Sequence, residues 1–159
     1  MISFVDIESA HRSPTLAEVE ARGFEAQESA NLELYRSALH LESLGQLDQA
    51  REAYGQLLEQ PLIADAHVHR ALPTDPSLQL RFLALKNLSA LEARAGAERA
   101  GAPASAVEAA LRHALDALKI DDTDGLLWLR LARLARSMGR VSLARHALEQ
   151  VRVTHIPHP

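Results

Sequence analysis

The sequence predicts an all-α fold, a right-handed superhelix of three helical hairpins. Apolar side chains recur at three- and four-residue steps along most of the chain, which is the period of one helix face. Aromatic residues make up only 4% of the chain, whereas strands favour aromatic and β-branched residues. Gly45 and Gly139, 94 residues apart, each separate two such apolar patterns and precede an alanine by five residues, Ala50 and Ala144. Repeated helix–glycine–helix units are typical of tetratricopeptide-like repeats.

The N-terminal part divides into a leader and a first hairpin. Residues 1–14 lack a sustained apolar period, and Ser13-Pro14 would break a helix. From Thr15 the pattern turns helical, with an interruption at Gly23, so we expect residues 1–24 to form a partly disordered leader with room for one short helix. Residues 25–59 have helical periodicity on both sides of Gly45, and glycine suits the left-handed position that follows a helix C-terminus. Pro61 is predicted to end the second helix of this hairpin.

The middle hairpin, residues 78–120, is predicted to be longer than the first. Its first helix starts near Leu80 and ends at Gly96, and its second helix covers residues 104–120. The link before it, at residues 60–77, contains three prolines, and we expect this link to run through solvent.

The last hairpin is predicted at residues 124–152, followed by a tail at residues 153–159. Thr123 or Asp124 is expected to cap its first helix. No helix follows to cover four apolar side chains of the last helix, so we expect this edge to pack on another chain or on further repeats. These four residues are Leu143, Ala147, Leu148 and Val151.

Composition excludes several classes of protein. The chain contains no cysteine, which rules out disulfides and thiolate zinc sites and favours a reducing compartment. No apolar run approaches the roughly 18 residues of a membrane span. The first residues lack the basic segment of a signal peptide. The composition therefore leaves the cytoplasm and the nucleus open as compartments.

Catalysis and metal binding have no support in the sequence. It has neither a phosphate-binding glycine loop nor a nucleophile elbow, so we predict no enzyme activity and no cofactor. His67, His69, His155 and His158 lack the spacing of a metal site on a helix, and we interpret them as solvent-exposed. The acidic run at residues 121–124 lacks the spaced ligands of a calcium loop, which favours helix capping instead.

Charge is distributed unevenly along the chain. Residues 1–124 carry 11 basic and 20 acidic side chains, whereas residues 125–159 carry six arginines and Glu149 as the one acidic side chain. Such an asymmetry can steer an acidic partner to one end of a protein. Arginine is also a good helix former on a solvated face, so solvation alone is an alternative explanation.

The first helix of each hairpin is expected to line the concave face of the array and to form a partner-binding groove. Apolar at one end and basic at the other, this groove suits an acidic or amphipathic protein segment. The groove residues predicted from the sequence are Tyr35, Leu39, Glu42, Lys86, Asn87, Ala90, Arg94, Leu129, Arg130, Arg133 and Arg136.

A more specific alternative is that the groove binds the C-terminal carboxylate of a partner through a clamp of polar side chains, but the residues present disfavour it. Asn87 and Arg130 fit two of the positions that such clamps use. Tyr35, Leu39 and Leu126 stand where polar or charged members are needed. The grip on a carboxylate would therefore be incomplete.

Four ordered blocks carry a resemblance to a known family. They are Y-x-x-L-L-E-x-x-L-I (54–63), L-K-N-L-S-A-L (85–91), I-D-D-T-D ahead of L-W-L-R-L-A (120–132) and S-L-A-R-H-A-L-E (142–149). Together they resemble the N-terminal tetratricopeptide region of the calcineurin-binding protein cabin family and its fungal counterpart, the third histone transcription regulator. The likeness covers about residues 25–151.

The resemblance implies a nuclear scaffold without catalytic activity. Members of this family are subunits of the HIR-type histone chaperone complex, which acts in replication-independent nucleosome assembly and in histone gene regulation. The expected partners are then other subunits of that complex, with no small molecule, no membrane and no direct contact with nucleic acid. An adaptor of an unrelated cytoplasmic complex is the alternative, and an RNA-associated helical repeat is a weaker one.

Overall fold

The structure is a computed structural model that describes residues 15–66, 75–98 and 104–154. This described part contains seven α-helices and no strand, which confirms the predicted fold class. The helices are α1 (Leu16–Ser43), α2 (Leu47–Glu59), α3 (Pro61–Ala64), α4 (Pro76–Glu98), α5 (Ala104–Leu118), α6 (Gly125–Ser137) and α7 (Val141–Thr154). Across the same residues, no helix is both long enough and apolar enough to cross a membrane.

The helices pack as three hairpins in sequence order. α1 packs on α2, α4 on α5 and α6 on α7, and the hairpins join where α4 contacts α2 and where α6 contacts α5. Two apolar clusters form the cores between the packed helices. One is built from α1 to α4, and the other from α4 to α7. The core is thus divided between neighbouring hairpins, as in a stacked repeat, and α4 contributes to both clusters.

Both turn glycines have a left-handed backbone, which the sequence predicts for Gly45. Gly45 has φ 74° and Gly139 has φ 70°, a left-handed backbone that L-residues rarely adopt. Behind Gly45, the amide of Gln46 donates to the carbonyl of Leu41 at 3.0 Å, which closes a Schellman motif. The alanines five residues after each glycine, Ala50 and Ala144, are buried. Their small side chains let the two helices of a hairpin approach closely.

Two glycine-to-alanine substitutions are expected to change stability in opposite directions. Gly45→Ala should lower the free energy of unfolding by about 1 kcal/mol, because the left-handed backbone clashes with Cβ. Gly55→Ala, within α2, should raise it by about 0.5–1 kcal/mol. A Cβ at either position meets no atom within 4 Å, so packing contributes to neither change. Urea unfolding of the two variants measures the change in the free energy of unfolding for each. A change of the same sign and size in both variants would contradict the turn assigned to Gly45.

The predicted interruption at Gly23 does not occur, and residues 16–24 belong to α1 rather than to a leader. α1 runs unbroken from Leu16. Thr15 and Glu18 form a capping box there, with the amide of Thr15 donating to the Glu18 carboxylate at 2.7 Å. One glycine costs a helix only about 1 kcal/mol, and this cap with the helix-forming residues around Gly23 outweighs that cost. Residues 1–14 of the predicted leader lie outside the described residues.

The predicted solvent-exposed link at residues 60–77 is helical near its start. Pro61–Ala64 forms α3, and Ile63 is fully buried against α4. Arg81 of α4 donates to the carbonyl of Ile63 at 2.9 Å and also to that of Ala64. A proline at the first helical position leaves no amide unsatisfied. Pro61 therefore begins a new helical turn directly after α2.

The far end of the same link is also ordered. α4 begins at Pro76 instead of the predicted Leu80 and continues past Gly96 to Glu98. Asp75 accepts hydrogen bonds from the amides of Ser77 at 2.8 Å and Leu78 at 3.3 Å, so it acts as the cap of this helix. The middle of the link, residues 67–74, lies outside the described residues and includes His67 and His69.

The C-terminal edge is only partly as predicted. Ala147 is fully buried and Leu143 packs on the adjacent cluster, because α6 covers both. Leu148 remains 50% exposed, and Val151 is partly buried. The sequence pattern did not separate the side of α7 that faces α6 from its outer side. Packing of this edge on another chain stays a prediction, and the end of the tail, residues 155–159, lies outside the described residues.

Candidate partner-binding groove

The structure sorts the predicted groove residues into three groups. One group joins the hairpins through polar contacts: Tyr35, Glu42, Lys86, Asn87 and Arg130. A second group lines an open groove between α4 and α6: Ala90, Arg94, Leu129, Arg130 and Arg133. Leu39 and Arg136 are exposed side chains outside that groove.

Asn87 joins the first two hairpins. Its side-chain amide donates to the hydroxyl of Tyr54 at 2.9 Å and to that of Tyr35 at 3.3 Å. The Tyr54 hydroxyl in turn donates to the Glu42 carboxylate at 3.1 Å, and the two tyrosine rings lie 5.9 Å apart. Burial raises the pKa of Tyr54 above its usual value, and the Glu42 charge raises it further. Tyr54 therefore remains a neutral hydroxyl that can donate to Glu42.

A second polar junction joins α4 to the start of α6. Lys86 forms an ion pair with Asp124, and Arg130 donates to the backbone carbonyl of Lys86 at 2.8 Å. Asp124 also accepts from the amide of Leu127 at 2.9 Å, so it is the predicted cap of this helix. Burial raises the pKa of Asp124, but the hydrogen bonds from Lys86 and Leu127 outweigh burial and lower it overall. Its carboxylate stays charged and keeps the junction paired.

These junctions give two of the candidate clamp residues structural roles, in line with the sequence, which already disfavoured a carboxylate clamp. The amide of Asn87 is committed to Tyr35 and Tyr54. Arg130 is half-buried and bonded to α4. Burial lowers the pKa of Arg130, whereas the carboxylates of Asp124 and Glu42 raise it. Both residues thus stabilise the stacking of hairpins.

The open groove between α4 and α6, here named the basic groove, has a volume of about 630 Å³. Its lining residues are Ala90, Ala93, Arg94, Leu126, Leu129, Arg130, Arg133 and Leu134. Five of these side chains are apolar, three are arginines and none is a carboxylate. Leu126 is 69% exposed at its edge, and Arg133 is exposed as well. An apolar floor with guanidinium groups around it suits apolar and acidic side chains on one peptide.

Sequence reasoning missed Leu126, Ala93 and Leu134 as lining residues. Leu126 precedes the buried Leu127 by one position in α6, and the alternation of an exposed and a buried leucine is the signal that could have identified it. Ala93 and Leu134 required knowledge of how closely α4 and α6 approach. That distance depends on contacts between hairpins rather than on either helix alone.

The acidic run before α6 has a structural role. Asp121 accepts from the amide of Thr123 at 2.9 Å and from its hydroxyl at 2.6 Å. The Trp128 indole donates to the carbonyl of Asp122 at 2.7 Å. These bonds fix the turn and hold the Trp128 ring edge-on to His146, with 5.7 Å between ring centroids. The described residues contain no group of three histidine or carboxylate side chains arranged to hold a metal ion.

Comparisons with known proteins identify a family. Residues 30–156 match the family model described as the CABIN1 N-terminal domain. The chain is also 35% identical, over 126 residues, to a protein from Arabidopsis thaliana named calcineurin-binding protein 1. The matched part covers 79% of this chain and 6% of that relative. No solved structure matches the chain significantly.

Proposed function

Because the chain belongs to the CABIN1 N-terminal domain family, we propose that it is a non-catalytic scaffold module that binds other proteins. The basic groove is the observation that carries this proposal. Its floor is apolar, and the charged side chains among its described lining residues are all arginines. A groove of this kind is a standard way for helical repeats to hold a partner segment.

The proposed ligand is an acidic amphipathic segment of a partner protein. Its apolar side chains would pack against Leu126 and Leu129, which present hydrocarbon surface in the groove. Its carboxylates would meet Arg133, whose planar guanidinium group can bond a carboxylate through two N–H groups. Apolar burial would provide most of the affinity, and the arginines would provide preference for acidic partners.

The assembly we propose for this module is a HIR-type histone chaperone complex in the nucleus, where it would bridge other subunits. Family membership supports this assignment, as do the four ordered blocks that resemble the cabin family. The Arabidopsis relative is named for binding calcineurin, which supports a protein rather than a small molecule as the partner. Because the chain spans only 6% of that relative, the partners of the whole relative are proposals for this chain.

Reversal of one charge in the groove tests the proposal. Arg133→Glu should reduce capture of groove-dependent partners from nuclear extract about ten-fold, equivalent to about 1.4 kcal/mol. Arg145→Glu is the matched control, because Arg145 is exposed on α7 and does not line the groove. Quantitative mass spectrometry of proteins retained by each variant, and by the wild type, measures the change after nuclease treatment.

The proposal predicts that histone chaperone subunits are among the proteins lost with Arg133→Glu and kept with Arg145→Glu. Equal capture by both variants would contradict binding in this groove. Loss of a different, cytoplasmic set would retain the scaffold role and contradict the chaperone assignment. Capture that disappears with nuclease and falls steeply with salt would indicate RNA binding instead.

A further inference from the structure

A second groove lies between α1 and α4, on the first helices of the first two hairpins. Its volume is about 520 Å³. We name it the acidic groove. Its lining residues are Glu25, Glu28, Ser29, Asn31, Leu32, Tyr35, Pro76, Ser77, Gln79, Leu80 and Leu83. No residue is shared with the basic groove, and no lysine or arginine is present among them.

Asn31 is the feature of this groove that packing alone does not explain. It is 3% exposed, yet among the hydrogen bonds that join the described residues none involves its side-chain amide. Its neighbour one turn along α1, Tyr35, accepts a hydrogen bond from Asn87 instead. The amide atoms of Asn31 are not fully enclosed by protein, so they reach the surface of the groove that this residue lines. An amide in the wall of an open groove can instead bond a ligand that enters it.

The charge and the apolar surface of the groove indicate which kind of ligand it can bind. Among the described residues that line the groove, Glu25 and Glu28 are the charged ones, and neither forms an ion pair within the described part of the chain. α1 as a whole carries six glutamates and two arginines. The groove surface is mainly apolar, and Leu32 is 38% exposed in its wall. An apolar floor with a purely acidic rim complements an amphipathic segment whose polar residues are basic.

The apolar surface also continues beyond the groove along α1. Phe24 is 49% exposed and lies one helical turn before Glu28, on the stripe that includes Asn31 and Tyr35. An exposed phenylalanine that extends a groove provides a further anchor for a bound helix, because aromatic side chains bury a large area on binding.

We infer that the acidic groove binds a basic amphipathic segment of a partner protein, with apolar side chains on Leu32 and Leu80, Lys or Arg beside Glu25 and Glu28, and a polar group bonded to Asn31. This second site extends the proposed scaffold role, but it does not depend on the basic groove. Grooves of opposite charge on one array allow two different partner segments to be held side by side.

Fluorescence anisotropy with two designed peptides tests this inference on the full chain. Both probes are amphipathic helices of about 15 residues with the same leucine stripe, one with arginine and the other with glutamate at the polar positions. The arginine probe should bind the wild type with saturation. The combined Glu25→Gln/Glu28→Gln variant should weaken this binding by about five-fold or more. Glu149→Gln, an exposed site on α7, should leave it unchanged.

Asn31→Leu separates a ligand-binding role from a structural one. Because the amide lacks a partner in the folded chain, its replacement by an apolar side chain of similar size should leave thermal stability equal or higher. Binding of the arginine probe should nevertheless weaken about ten-fold, because the ligand loses its hydrogen bond and leaves its own polar group unpaired. A loss of stability without a loss of binding would overturn the role given to Asn31.

Other outcomes are equally informative. Equal affinity of the arginine probe for the wild type and for Glu25→Gln/Glu28→Gln would overturn the inference. A concentration-dependent dimer in sedimentation, abolished by Glu28→Gln, would overturn it in favour of a second copy of the chain in the groove. Arg133→Glu should not weaken binding of the arginine probe, so failure of this site and failure of the basic groove are distinguishable.

Discussion

Leu127→Ala is expected to lower the free energy of unfolding by about 2–5 kcal/mol, the range for large-to-small changes in a core. Leu127 is fully buried and belongs to the cluster that joins α4 to α7. Alanine would leave a cavity between α6 and its neighbours that the surrounding side chains can fill only in part. The loss should be visible as a lower midpoint in urea, with an unchanged slope.

Leu126→Ala is the matched control, because Leu126 is the preceding residue of the same helix and is 69% exposed. Its effect on stability should stay within about 0.5 kcal/mol. Since Leu126 lines the basic groove, the same variant should weaken binding of an acidic amphipathic peptide. Similar losses of stability in the two variants would contradict the assigned orientation of α6.

Ala50→Leu is expected to cost about 1–3 kcal/mol by overpacking. Ala50 of α2 is fully buried in the cluster that α2 shares with α1, five residues after the Gly45 turn. A leucine there must push the two helices apart or adopt a strained rotamer. The displacement would also reach Tyr54, one turn further along α2, whose hydroxyl connects Glu42 and Asn87.

Gln49→Leu provides the control, because Gln49 is exposed in the same turn of α2. It adds a leucine at a site open to solvent and should change stability by less than about 0.5 kcal/mol. Thermal unfolding of both variants, followed by circular dichroism, measures the difference. A stable Ala50→Leu protein would show that close approach at this alanine is not required.

Local sequence signals were sufficient for much of the fold. Helical periodicity identified the three hairpins, the glycine at residue 45 was correctly interpreted as left-handed, and the glycine at residue 139 was correctly placed at a turn. Each of these features depends on residues close in sequence. Gly23 shows the limit of such reasoning, because a single glycine in a helix is a modest cost that the capped, otherwise favourable α1 outweighs.

The candidate sites were less accessible from sequence. Lys86 and Asn87 were expected to face a ligand, but they bond to Asp124, Tyr35 and Tyr54 of other helices. Each partner lies 33 to 52 residues along the chain from the residue that it bonds, and helical periodicity carries no information about contacts over such separations. The acidic groove was missed for the same reason, since it exists only where α1 and α4 come together.

The central claim is that neighbouring hairpins, rather than one common core, keep each helix pair folded. Native-state hydrogen exchange on the wild type and on Leu127→Ala measures this directly. We predict that the variant loses protection mainly in α5, α6 and α7, which share the cluster of Leu127, while α1 and α2 retain most of theirs. An equal loss of protection in all helices would instead indicate a single cooperative core and would contradict the stacked arrangement.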